Sequence, residues 1–131
     1  MDPGYDAYHA PRYVFLLRLL ADLGLNKNTT ILDIGETELT NRIRNTFGMP
    51  VDSLGFGVDR DTQAGRHFEF DLNRTQHREN WRTDLPTYAF VVMAEVLEHL
   101  HTAPQLVLAF LNSVLDMMFP SVRTRQSQKP E

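Results

Sequence analysis

A chain of 131 residues is one domain at most, yet long enough to bury roughly 65–70% of its unfolded surface. Its 42% hydrophobic and 23% charged residues are those of an ordinary globule, and a net charge of −4 supplies no global basic field to draw it to nucleic acid. With no cysteine there is no disulfide framework and no thiolate metal site; no run approaches the ~18 apolar residues of a membrane span, and the acidic start lacks an apolar signal region, so the expectation is a cytoplasmic protein with no membrane contact.

In chain order, Tyr13, Leu16, Leu17, Leu20 and Leu23 recur at helical spacing, with Pro11 near the start and Gly24 just past the end. Thr30 to Gly35 is a short apolar run ending in an acid and a glycine, which predicts a buried strand and hence a parallel sheet. Leu39, Ile43 and Phe47 predict a second helix stopped by Gly48. Ser53–Val58 and His67–Phe70 read as a second and third strand, each followed by an aspartate. Residues 73–87 are polar, with a short crossover helix expected around Thr75–Arg82. Ala89–Met93 is the most strand-like segment; a short helical piece from Glu95 to Leu100 and a longer helix from Pro104 to Met118 follow. Alternating strands and helices predict an α/β fold with a mostly parallel sheet.

Ligands of open α/β sheets bind outside the carboxyl ends of the strands. Here the four predicted strands end in Asp33-Ile34-Gly35, Asp59, Asp71 and Ala94-Glu95. Each acid alone reads as a helix cap or a turn former. Four in register suggest a ligand rich in hydroxyl and amino donors, with a cationic centre; a phosphate would instead ask for basic residues and a glycine-rich turn.

Ile31-Leu32-Asp33-Ile34-Gly35 resembles the first motif of class I S-adenosylmethionine (SAM)-dependent methyltransferases. Gly57-Val58-Asp59 resembles that family's second-strand acid, Phe70-Asp71-Leu72 its third-strand acid, and Tyr88 through Leu100 its fourth-strand motif. The resemblance covers about residues 10–118. It implies a partial Rossmann-like three-layer sandwich with strand order 3-2-1-4, flanked by helices, over residues 1–121, followed by a disordered polar tail, 122–131. It implies SAM as cofactor, with Asp59 on the ribose hydroxyls and Asp71 and Leu72 on the adenine. Asp33, Gly35 and Glu36 would meet the methionine end, and Ala94 and Glu95 would border the sulfonium. Physical chemistry fits these roles, since a carboxylate accepts two adjacent hydroxyls and a negative field suits a sulfonium. The acceptor is not specified by the sequence, although a small molecule fits the fourth-strand motif, and no residue stands out as a catalytic base.

Two departures from the family pattern bear on function. After Gly35 the family carries two further glycines in alternate positions; this chain has Glu36-Thr37-Glu38-Leu39, and the helical phase of Leu39, Ile43 and Phe47 favours a loop two residues shorter. Glu36 or Glu38 near the SAM carboxylate would repel it, or both would simply complement a helix dipole. The family sheet also normally has seven strands, and this sequence supplies four. Ala89–Met93 would then be an apolar edge, which predicts a homodimer. The alternative is a non-catalytic methyltransferase-like binding or dimerisation domain, or a truncated remnant.

Glu95, Glu98, His99 and His101 have metal-ligand residue types, similar to the metal motif of RNA 2′-O-methyltransferases; they read more simply as part of the fourth-strand signature, so no metal is expected. Arg60, Arg66, Arg74, Arg78 and Arg82 read as solvated loops with interspersed acids, and no nucleic-acid partner is expected.

Overall fold

The computed structural model describes residues 3–94 and 100–116, with side chains from Ala10 onward. The order of elements is α1 (Pro3–Asp22), β1 (Ile31–Ile34), α2 (Glu38–Phe47), β2 (Asp52–Gly55), β3 (Arg60–Thr62), β4 (Gly65–Glu69), β5 (Phe90–Met93) and α3 (Pro104–Ser113), with two 3-10 turns, Leu72–Gln76 and Arg78–Asn80, between β4 and β5. The protein is α/β: a five-stranded mixed sheet flanked by helices, in the order β3-β4-β2-β1-β5. β4, β2, β1 and β5 are mutually parallel, and β3 is antiparallel to β4.

This order departs from the expected 3-2-1-4 through an added strand. The run expected as one strand, 53–58, ends at Gly55, and the chain then turns back through β3 before rising again as β4. Thr62 pairs with Gly65 across the two-residue loop Gln63–Ala64. Gly65 has φ +134, and a Cβ there would stand 2.1 Å from the Val51 carbonyl oxygen, so the hairpin needs glycine at this position. All three residues of β3 are exposed, which is why no apolar pattern marks it.

Two apolar layers sandwich the sheet. Alternation along β1 sends Ile31 to one face, where Tyr13, Leu20, Leu39 and Ile43 of α1 and α2 pack, and Leu32 and Ile34 to the other, where Val107, Phe110 and Leu111 of α3 pack. On that second face Phe110 stacks on Phe70 at 4.8 Å between ring centroids and meets Trp81 edge-on at 5.5 Å.

Three helical expectations change. α1 begins at Pro3, a residue whose fixed φ suits a first turn, so Pro11 lies inside the helix rather than near its start. The linker after β4 forms 3-10 turns instead of a crossover helix, because the Asp71 carboxylate caps the Asn73 N–H at 2.9 Å and the Thr75 hydroxyl donates to the Leu72 carbonyl at 2.7 Å. α3 ends at Ser113, short of the expected Met118, so that Leu115 forms a parallel bridge with Tyr88. There the Tyr88 N–H donates to the Val114 carbonyl at 2.8 Å, and the Asp116 N–H donates to the Tyr88 carbonyl at 2.7 Å. The helical piece expected over 95–100 and the tail, 122–131, lie outside the described residues apart from Leu100. Among the described residues no helix is long and apolar enough to cross a membrane.

Candidate functional site

The carboxyl ends of β1, β2 and β4 come together around a cleft of about 270 Å³. Its floor is a close approach of two strand ends. The Gly35 N–H donates to the Leu54 carbonyl at 2.7 Å, and a Cβ on Gly55 would come within 3.6 Å of the Gly35 Cα. Gly35 has φ +85, a conformation that disfavours any side chain, so the turn out of β1 is a glycine site on backbone grounds. Four of the residues expected at a cofactor, Gly35, Glu36, Asp71 and Leu72, line this cleft, together with Phe56 and Leu100.

The loop from β1 to α2 is three residues long, Gly35–Thr37, because Thr37 already caps α2. Its hydroxyl accepts the Leu39 N–H at 3.2 Å, and Thr40 answers by accepting the Thr37 N–H at 3.0 Å. Thr40 also donates its hydroxyl proton to Asp33 Oδ2 at 2.7 Å. Asp33 is therefore not a free acceptor in the cleft. It sits beneath it, 1% exposed, on the α2 side of the sheet. Burial pushes its carboxyl up to about 7, against the opposing pull of the Thr40 hydroxyl and the Arg44 charge.

Glu36 is exposed and paired with Arg60 at 2.6 Å, which holds its carboxyl below the usual range. Asp59 lies beyond the cleft wall, at the end of the loop that starts with Phe56. Arg82 grips both of its oxygens, at 2.8 and 2.6 Å, and the Glu69 N–H adds a third hydrogen bond at 2.7 Å. These contacts hold Asp59 well below the ordinary carboxylate range, Arg82 contributing most. Asp71 lines the cleft while its carboxylate caps the following turn, the role that an acid at a strand end has on its own. Ala94 packs with the α1–α2 side of the core, and Glu95 lies outside the described residues.

The Phe56 loop is stapled from below by His67, 3% exposed. The Phe56 carbonyl can only accept, so His67 Nε2 carries the proton and donates to it at 2.7 Å. In the neutral ring Nδ1 then accepts from the Ser53 hydroxyl, also at 2.7 Å. The staple holds the Phe56 ring 83% exposed at the cleft mouth. Sequence reasoning missed this loop, and only the Phe-Gly-Val stretch, with an aromatic beside a glycine after a strand, could have signalled it.

Among the described residues no group of three His, Asp or Glu side chains forms a metal-ligating set. Glu98 and His99 lie outside the described residues, while the His101 N–H donates to Asn73 Oδ1 at 2.7 Å. The arrangement offers an apolar-walled slot with an accessible carboxylate, Asp71, an exposed aromatic ring and the arginine-held Glu36, while the arginine-held Asp59 stands outside it. Set against known protein families, curated proteins and solved structures, the chain matches none.

Proposed function

We propose that the cleft binds the adenosine part of S-adenosylmethionine, and that the chain is a SAM-dependent methyltransferase, or the cofactor-binding half of one, acting on a small-molecule acceptor. The observation that carries this reading is the juxtaposition of Gly35, Asp71, Leu72 and Phe56 around one cleft at the carboxyl ends of parallel strands. A planar base can lie against apolar walls of this kind, with its amino group donating to Asp71. Methyl transfer requires little beyond alignment of donor and acceptor, so a site that positions the cofactor supplies the main catalytic element.

A second reading, a methyltransferase-like domain that binds without catalysis, is favoured by a specific observation: the Glu36 and Asp59 carboxylates already hold Arg60 and Arg82. Both readings place weak SAM binding, in the high micromolar range or worse, at this cleft, because the methionine carboxylate must pass Glu36. A homodimer through the outer side of β5 belongs to the same proposal; Leu115 bridges Tyr88, two residues before that strand, and not the strand itself.

Calorimetric titration of the full chain with SAM and with S-adenosylhomocysteine tests the reading. Heats that saturate in the high micromolar range, and that Phe56→Ala weakens, support it. No heat up to millimolar ligand, or binding unaffected by Phe56→Ala, overturns the site. Methyl transfer to a panel of small acceptors then separates the catalytic from the non-catalytic reading.

A further inference from the structure

At the opposite edge of the sheet, where β2 and β4 begin, lies a second cavity, of about 430 Å³. That is within the roughly 300–1,000 Å³ of small-molecule sites. One wall is a stripe of α2 and its cap: Asn41, Arg44, Asn45 and Gly48 recur at helical spacing on one side. The other wall is the β3–β4 loop, Gln63 and Ala64, tied back by the Val51 N–H, which donates to the Ala64 carbonyl at 3.0 Å. Lys27, from the turn before β1, lies over Gly48, where a Cβ would come within 3.8 Å of its Cε.

Donors dominate this cavity. Arg44 Nη2 donates to the Val51 carbonyl at 2.8 Å, and Nη1 donates to Asn41 Oδ1 at 3.2 Å. The two bonds fix the guanidinium across the wall and leave one N–H on each Nη. Asn41, its oxygen engaged, has its amino group left. The side chains of Lys27, Asn45 and Gln63 bond to nothing among the described residues. No carboxylate lines the cavity. The Arg44 charge acts on the Asp33 and Glu36 carboxyls but forms an ion pair with neither. Its Nε is buried without an acceptor. A helix C-terminus by itself favours a cation. It does not account for a guanidinium with an orphaned Nε, nor for the free amides around it.

We propose that this cavity binds a phosphate monoester on a polyhydroxylated body, a sugar phosphate in kind. A phosphate dianion accepts hydrogen bonds in every direction and donates none. The donors here come from three separate pieces of chain, α2, the β3–β4 loop and the turn before β1, so they can surround such a group. A flat carboxylate would meet one wall at a time. The cavity is larger than a phosphate alone, and the Asn45 and Gln63 carboxamides, which both donate and accept, suit the hydroxyls of the body. In a chain of net charge −4 the site is a local basic exception. It is separate from the cleft at the carboxyl ends of the strands and does not depend on what binds there.

Calorimetric titration of the full chain with ribose 5-phosphate, at constant ionic strength, tests the site. Binding should saturate with a dissociation constant below about 1 mM. Ribose should not bind, and acetate should not displace the ester. Gln63→Glu is isosteric and puts a carboxylate in the wall; it should weaken binding about tenfold, and Lys27→Gln several-fold. Both side chains are exposed and unbonded, so the fold does not rest on them. Arg74→Gln removes the same charge as Lys27→Gln, from the exposed linker after β4, and should leave the affinity unchanged. No saturation up to about 10 mM overturns the site. So does an equal loss in Arg74→Gln, which would mean attraction by overall charge, or an unchanged affinity in Gln63→Glu, which would put the ligand elsewhere. Displacement by acetate at matched concentration overturns the assignment to a phosphate.

Discussion

Asp33 and Asp59 occupy the same end of the sheet, and each follows an apolar run in the sequence, yet the fold holds them in opposite states. Asp33 is sealed under α2 with one hydroxyl donor, and burial pushes its carboxyl up to about 7. Asp59 stands in solvent with three donors, and Arg82 pulls its carboxyl well down. The contrast teaches that a strand-then-acid pattern locates a carboxylate without fixing its charge. Desolvation decides at Asp33 and hydrogen bonding decides at Asp59.

The two sites give stability opposite slopes with pH. Asp33 has a raised folded value, so between about pH 4 and 7 the unfolded chain releases a proton that the folded chain retains, and stability falls as pH rises. At 1.36 kcal/mol per pH unit the fall is about 4 kcal/mol at most. Asp59 has a lowered folded value; its contribution is present above about pH 4 and is lost as pH drops further. Asp33→Asn keeps an oxygen for the Thr40 hydroxyl and removes the titration. Its urea-unfolding stability should be flat from pH 4 to 8, gaining on the unsubstituted protein by roughly 3–4 kcal/mol across that span. Parallel profiles for the two proteins would show that Asp33 is ionised in the fold throughout, and the contrast would collapse.

Thr40→Val probes the same acid from its partner. The hydroxyl that is removed donates to Asp33 Oδ2 and accepts the Thr37 N–H at the start of α2. Leaving a buried carboxyl without its donor should cost about 1–3 kcal/mol. Because the hydroxyl bond stabilises the carboxylate form, its loss should also drive the Asp33 titration further upward, which carbon-13 NMR of the side-chain carboxyl would register. A titration that stays in place, or moves down, would mean that Thr40 is only a helix cap.

Legibility in the sequence followed the physics of each part. Ile31–Ile34 and Phe90–Met93 are buried or half-buried strands, and their apolar runs announced them. Leu39 and Ile43 repeat at helical spacing against the core, and Gly48 closes α2 in the left-handed conformation at φ 60, as its position suggested. β3 was invisible because Arg60, Asp61 and Thr62 are all exposed and leave no apolar pattern; backbone pairing with β4 holds them, with side-chain bonds from Arg60 to Glu36 and from Thr62 to the Gly65 carbonyl. Acids at the site were readable as residue types, and Gly35, Glu36, Asp71 and Leu72 do share a cleft. Their partners were not readable. Arg60 is 24 residues from Glu36, and Arg82 is 23 from Asp59, so no local spacing rule links either pair. Those arginines looked like loop charges, and only the β3–β4 hairpin and the linker after β4 bring them to the acids.

The smallest effect should come from the other arginine-held acid. Glu36 and Arg60 form a pair whose side chains are 37% and 45% exposed, so holding two long side chains together is offset by little Coulomb energy. Glu36→Gln should therefore change stability by no more than about 0.5 kcal/mol at low salt, and by less as salt is raised. Its effect on ligands should be larger and selective. Glu36 lines the cleft, and removing its charge takes a like charge away from an approaching methionine carboxylate while freeing the Arg60 guanidinium to meet it. SAM should then bind several-fold more tightly, the scale of about 1 kcal/mol at a surface-like dielectric, whereas adenosine, which lacks the carboxylate, should bind as before. Titrating both ligands against both proteins reads the difference directly. If adenosine tightened as much as SAM, Glu36 would be acting on the shape of the cleft; if neither changed, the methionine end would lie elsewhere, and the three-residue loop after β1 would be a helix start alone.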